Sequence, residues 1–259
     1  MIVTRPPLPE AFLHLPIAHR AFHDRAARRP ENSRAAIRAA IAAGYGIEID
    51  IQPSADGVPM VFHDYDLRRL TGQPGRIRGL TAAELGTLPL LDADEGVPTL
   101  AEVLQIVAGQ VPLLIEIKDQ DGAMGPAVGD LEKAVAETLD GYAGDVALMS
   151  FNPHSVAALA RRAPDRPRGL TTSAYRAEDW PLLPAPVRDH LRDIPDLDRV
   201  GASFISHEAA DLDRPLIAEV KARGTHILCW TIRSPEAEAR ARKLAENVTF
   251  ESYPALIAP

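Results

Sequence analysis

Short aliphatic and β-branched runs alternate with alanine-rich stretches along the whole chain, and the apolar spacing switches between a strand period of two and a helical period of about 3.6. Eight runs read as strands: LPIAHR (15–20), GIEIDIQ (46–52), VPLLIEIK (111–118), DVALMSF (145–151), PRGLTTS (167–173), GASFISHE (201–208), HILCWTI (226–232) and NVTFES (247–252). Helical spacing fills the intervals, as in SRAAIRAAIAAG (33–44), TLAEVLQIVAG (99–109), VGDLEKAVAETLDG (128–141), SVAALARRA (155–163), RPLIAEVKARG (214–224) and SPEAEARARKLAE (234–246). Several of these open on Ser, Thr or Pro and several close on Gly, the expected start and stop signals. Alternation of this kind predicts parallel strands joined by right-handed crossovers, and eight units close most naturally into a (β/α)8 TIM barrel. An open doubly wound sheet is the competing arrangement, but neither a P-loop nor a dinucleotide fingerprint is present. At 259 residues the chain matches one such barrel, so residues 1–259 are expected to be a single domain.

One interval departs from the pattern. Residues 53–98, after the second strand, are too long for an ordinary connection and are read as a hairpin followed by an insertion. In PSADGVPMVFHD, Asp56-Gly57 is a two-residue turn signal between extended segments; pairing Ala55 with Val58 then sets His63 opposite Asp50. The remainder, to residue 98, is rich in turn residues and reads as surface loop with one short helix.

Composition narrows the function. A net charge of -8 and a pI near 5.5 argue against nucleic acid or an anionic membrane surface as partner, since both need clustered Lys and Arg. No continuous apolar stretch suggests an integral membrane segment, and the proline-broken amino terminus does not read as a signal peptide. The single cysteine, Cys229, has no partner for an internal disulfide and points to a reducing compartment, hence the cytoplasm. Asn247-Val248-Thr249 fits a glycosylation triplet but lies in an apolar run and reads as buried strand. Oligomeric state leaves no mark on the sequence.

The chemistry gathers in the first strands. In GIEIDIQ, Glu48, Asp50 and Gln52 share one face, and Ile47, Ile49 and Ile51 the other. In LLIEIK, Glu116 and Lys118 share a face in the same way. His19 and Arg20 follow the first strand, and the hairpin brings in His63. In a barrel, the carboxyl ends of strands build the active site. Three carboxylates converging there need a cation, or one must stay protonated; oxygen donors without a cysteine cluster suit one divalent ion, Mg2+ or Ca2+. Arg20 and Lys118 are cations of the kind that grip phosphate, and two imidazoles can exchange protons with attacking and leaving oxygens. That set describes phosphodiester hydrolysis.

Singly, a loop arginine or a Glu-x-Lys pair is more often a solvated charge, and His63 could merely cap its hairpin; it is their coincidence at strand tops that carries weight. Phe151, His207 and Trp230, also near strand ends, are candidates for the pocket wall, although each type is more often core in a barrel. His207-Glu208-Ala209-Ala210-Asp211 is not a zinc-protease motif, because it ends in Asp and follows a strand.

The segments AHRAFHDRAARRPENS, GIEIDIQPSADGVPMVFHD, LLIEIK, SF and CWTI, in this order and spacing, resemble the glycerophosphodiester phosphodiesterase family. The resemblance implies a TIM barrel that hydrolyses glycerophosphodiesters with a divalent metal. It further implies His19 and His63 as the acid/base pair, Glu48, Asp50 and Glu116 as metal ligands, and Arg20 and Lys118 as phosphate contacts. Glu31 and Asn32 fall in the family's PEN motif and read as helix-start residues, Asn32 as the cap. Four positions depart, one of them Ser54, where the family usually has Thr before the DG turn. The family's HRG is His19-Arg20-Ala21, which requires a different loop if that glycine takes a positive φ; WT-V-N reads Trp230-Thr231-Ile232-Arg233; and the terminal TD-x-P is replaced by Glu251-Ser252-Tyr253-Pro254.

The leading expectation is release of an alcohol and glycerol 3-phosphate from a small-molecule glycerophosphodiester. A phospholipase D-like activity on lysophospholipids is the alternative within the fold, favoured by an apolar trough beside the metal, whereas a small polar pocket favours the first. A non-catalytic phosphate-ester binding module ranks below both, because both histidines are present.

Overall fold

The strand runs fold as their period requires. In the computed structural model, which describes residues 4–257, the strands are β1 (Ile17–Ala18), β2 (Gly46–Pro53), β3 (Pro59–Val61), β4 (Leu113–Ile117), β5 (Val146–Ser150), β6 (Arg168–Thr172), β7 (Phe204–Glu208), β8 (His226–Ile232) and β9 (Asn247–Phe250). They form one sheet, and β1 pairs with both β2 and β9, which closes a ring of eight parallel strands with β3 antiparallel on β2. The fold is the TIM barrel expected. Ile47, Ile49 and Ile51 face outward and pack on Ile37 and Ala40 of the helix Arg34–Ala43, within the continuous strand–helix core. The barrel interior is filled at its lower end by Ile17, Leu114, Ala147, Phe204 and Leu228, with Leu8 and Phe12 against them. Gly169 is required there, since a Cβ would stand 2.5 Å from the Phe204 ring.

Three sequence expectations need correction. The hairpin register is one residue off: Ile51 pairs with Val61 and Pro53 with Pro59, so Phe62, not His63, bonds to Asp50. The turn is a three-residue loop, with Gly57 left-handed at φ 79° and the Ser54 hydroxyl accepting from Val58 N at 2.9 Å, a geometry that shifts the pairing by one. Residues 64–98 are more than surface loop. They hold the helices Arg68–Thr71 and Ala82–Thr87, a 3-10 turn at Ile77–Gly79, and most of a buried cluster, including Leu67, Leu70, Leu85 and Val97. Lastly, the helix Ala185–Arg192 was not among the helical stretches read from the sequence; it carries Pro186 in its first turn, where proline is tolerated.

Among the described residues no helix is long and apolar enough to cross a membrane. Asn247 is fully buried in β9, its amide donating to the Phe12 and Leu15 carbonyls, as a strand residue rather than a glycan acceptor would be.

Candidate active site

Strand parity carries Glu48 and Asp50 of β2 into the barrel, and the register Asp50 with Glu116 sets the third carboxylate beside them on β4. All three are buried, and each offers an oxygen within 4.8 Å of the others. A cavity of about 160 Å³ opens over them at the carboxyl ends of the strands. It is lined by His19, Arg20, Glu48, Asp50 and His63, together with Glu116, Lys118, Phe151 and Trp230, so nine of the ten residues singled out from sequence meet there. The exception is His207. Odd-numbered β7 residues face the helices, and His207 is fully buried on that side, bonded to Thr172 Oγ1 at 2.8 Å. Its neighbour Ser206 lines the cavity instead. A larger open groove, about 790 Å³, lies outside the barrel around Gly109 and Tyr142, but among the described residues no set of metal-ligating groups converges there.

The charges inside the cavity are tightly held. Lys118 Nζ stands 2.7 Å from Asp50 Oδ1 and 2.6 Å from Glu116 Oε1, the positive charge that the carboxylates demand. Arg20 Nη1 donates to Glu31 at 2.8 Å, and its Nε is 3.6 Å from Asp50. Burial, with the Asp50 and Glu116 charges, pushes the Glu48 carboxyl well above the usual range. Burial acts the same way on Asp50, but Lys118, His63 and Arg20 overcome it and hold that carboxyl well below. One ammonium therefore does not satisfy three buried carboxylates. An oxygen-only donor set with a residual charge deficit fits a hard divalent ion.

Orienting bonds surround the donors, as they do at built metal sites. Arg20 N donates to Glu48 Oε2 at 2.8 Å and Asn32 Nδ2 to Asp50 Oδ2 at 2.9 Å. Asn32 thus orients the Asp50 carboxylate and is not the helix cap; that role belongs to Ser33, whose hydroxyl accepts from Ala36 N at 3.0 Å. Glu31 is likewise not a helix-start residue. It bridges Arg20 to Arg69 of the insertion, and Arg69 in turn grips Asp64, whose carboxylate accepts from His63 Nδ1 at 2.7 Å. The insertion is clamped to the site through that chain.

Ala21 does take a positive φ, 64°, directly after Arg20 at 51°. The loop after β1 therefore keeps a left-handed turn without glycine, stabilised by Ala21 N donating to Glu48 O at 2.9 Å. Two left-handed residues in succession end the strand at Ala18, shorter than the run LPIAHR suggested.

Residues 19–248 match the glycerophosphoryl diester phosphodiesterase family. The chain belongs to that family. It is 26% identical over 251 residues to a Bacillus subtilis (strain 168) protein provisionally named glycerophosphodiester phosphodiesterase, covering 93% of this chain and 95% of the relative. Over 160 residues it is 31% identical to the glycerophosphodiester phosphodiesterase of Caldanaerobacter subterraneus subsp. tengcongensis, 58% of this chain and 65% of that one. Among solved structures, an Oleispira antarctica phosphodiesterase in complex with the product sn-glycerol-3-phosphate superposes with TM-score 0.75 at 25% identity, covering 93% and 94% of the two chains. A Thermotoga maritima family member gives TM-score 0.70 at 23% identity, over 92% and 94%. Family membership makes the chain a phosphoric diester hydrolase, and the cavity at the strand ends is its candidate active site.

Sequence reasoning passed over Glu251. It stands where the family's TD-x-P begins to diverge, and its Oε2 is 2.5 Å from His19 Nδ1. The signal was available only as that divergence.

Proposed function

We propose that the protein hydrolyses glycerophosphodiesters whose glycerol is free, releasing an alcohol and glycerol 3-phosphate with two histidines as proton carriers. The observation that carries this reading is the meeting of three carboxylates, two imidazoles and two cations on one small cavity. Glu48, Asp50 and Glu116 would hold one divalent ion, Mg2+ or Ca2+. Such an ion supplies charge to the phosphoryl oxygens and lowers the cost of their developing negative charge. Arg20 and Lys118 line the same cavity and would grip the remaining phosphate oxygens, Arg20 as a fork and Lys118 as a point charge.

In the reaction a water oxygen bonds to phosphorus, the bond from phosphorus to the alcohol oxygen breaks, and one imidazole takes the water proton while the other gives a proton to the alcohol. Both rings face the cavity, and both have Nδ1 bound to a carboxylate, His19 to Glu251 and His63 to Asp64. A residue kept only for binding has no need of that support, which speaks against the non-catalytic module.

Cavity size supports a free glycerol over an acylated one. About 160 Å³ is small for an acyl chain, and the wall combines the charged groups with Thr171, Ser206 and Thr249 and with the aromatic pair Phe151 and Trp230, which pack edge to face. The Oleispira antarctica relative holds sn-glycerol-3-phosphate as product, and the same product is proposed here. The test is a panel of glycerophosphodiesters and lysophospholipids assayed with Mg2+, with Ca2+ and with chelator. Turnover of the glycerophosphodiesters that chelator abolishes is expected; faster turnover of the lysolipids, or none that depends on metal, overturns the reading.

A further inference from the structure

The first and last strands meet at the seam where the barrel closes. Ala18 pairs with Phe250, and His19 N donates to Phe250 O at 2.9 Å, so the next residue on each strand, His19 and Glu251, leave the seam side by side. Their side chains meet as well: His19 Nδ1 lies 2.5 Å from Glu251 Oε2, with both side chains about 15% exposed (14% and 15%). The carboxylate is itself braced. Its Oε1 accepts from Arg233 Nε at 2.7 Å, its backbone N donates to Ile232 O at 2.9 Å, and His23 Nε2 stands 3.7 Å from Oε2.

We propose that Glu251 is the positioning residue of His19: its carboxylate accepts the Nδ1 proton, so that Nε2 is the nitrogen presented to the substrate, and it supports the imidazolium that forms when Nε2 takes a proton. This rests on the reading of His19 as a proton carrier. The groups facing His19 are Glu251, Arg20 and Asp50. Burial lowers the His19 pKa and Arg20 lowers it further, while Glu251 opposes both through its hydrogen bond and charge. Without that carboxylate, a buried imidazole beside a guanidinium would resist protonation in mid-reaction. His63 obtains the same support from Asp64, its own neighbour in sequence; His19 obtains it from a residue 232 positions away.

Two readouts test the proposal in the full-length chain, one independent of turnover. Imidazole 1H–15N spectra, with the His19 signal identified by its loss in His19→Gln, should show neutral His19 protonated at Nδ1, and Glu251→Gln should lower its pKa. With sn-glycero-3-phosphocholine and saturating Mg2+ or Ca2+, Glu251→Gln should cut kcat about ten- to hundred-fold, a share of the ~10²–10⁴ that proton transfer contributes. KM and the metal concentration for half activity should stay within about threefold, and the limb of the pH–rate profile that reports His19 should move to lower pH. Glu251→Asp, which keeps the charge, should recover part of the loss. An Nδ1-unprotonated His19 in the parent, or an unchanged His19 pKa in Glu251→Gln, overturns the proposal, as does a Glu251→Gln enzyme with parental kcat and pH profile. A parent that turns over no phosphodiester refutes the proposed function instead, and the spectra still decide for or against Glu251.

Discussion

Lys118 bears more of the fold than its place in the candidate active site suggests. Its ammonium contacts Asp50 at 2.7 Å and Glu116 at 2.6 Å, with side-chain exposures of 13%, 2% and 8% in that order. Lys118→Met keeps the volume and removes the charge. Removing one partner of a buried ion pair costs about 3–5 kcal/mol, because the other charge is left buried and unpaired. Asp50 would retain Asn32 and the more distant Arg20, which places the expected cost near the low end, about 3 kcal/mol. For a chain of this size about 3 kcal/mol corresponds to roughly 6–12 °C in Tm. The assay is thermal unfolding of parent and variant near neutral pH, first in chelator and then with excess Mg2+ or Ca2+. A deficit of that size is expected in chelator, and it should shrink when a bound cation supplies the missing charge and stabilises the folded state by mass action. The sign at neutral pH is secure: the carboxylates raise the Lys118 pKa from its ordinary value against the pull of burial, so the ammonium's contribution is complete below about pH 10. Equal melting temperatures for parent and variant in chelator would refute the reasoning, since the ammonium could not then be neutralising buried charge.

Glu116→Gln should raise the metal concentration needed for half activity, and an unchanged metal titration would exclude Glu116 as a ligand. Arg69 links Glu31 to Asp64, whose carboxyls it helps hold below their usual range although burial raises both. Groups with depressed pKa values stabilise above their unfolded values near about 4 and lose that contribution as pH falls through the folded values. Arg69→Gln should therefore lower Tm more near neutral pH than at about pH 2.5, and a gap that widens on acidification would contradict the pairing. Burial pushes the Cys229 thiol up to about 12, so the native protein should resist iodoacetamide at mildly alkaline pH and react once unfolded; rapid native labelling would show that residue to be accessible.

Most of the barrel could be read from the chain because strand and helix periods are local. Each of the eight strand runs lies on a barrel strand, and the parity that put Glu48 and Asp50 opposite the isoleucines survives unchanged in β2. The histidine of the hairpin reached the cavity although its register was misread by one residue, because His63 is held by its neighbour Asp64 and does not need to oppose Asp50. Asn32 illustrates the opposite case. Its sequence neighbourhood looks like a helix start, and the competing Ser33 took the cap while Asn32 turned to Asp50. The insertion was harder still, since its buried cluster is assembled from single apolar residues scattered through turns, without a period to betray them.

The amino-acid sequence alone determined the closed alternation of strands and helices, the face on which each acidic residue would lie, and the family. These follow from spacing over a few residues, where the pleat and the helix turn act on every sequence alike. Only the tertiary structure decided which groups brace the side chains of the cavity: Glu251 on His19, Asn32 on Asp50, and Arg69 reaching from the insertion to Glu31 and Asp64. Such contacts depend on barrel closure, which joins the first strand to the last, and no local period records which residues that closure will bring face to face.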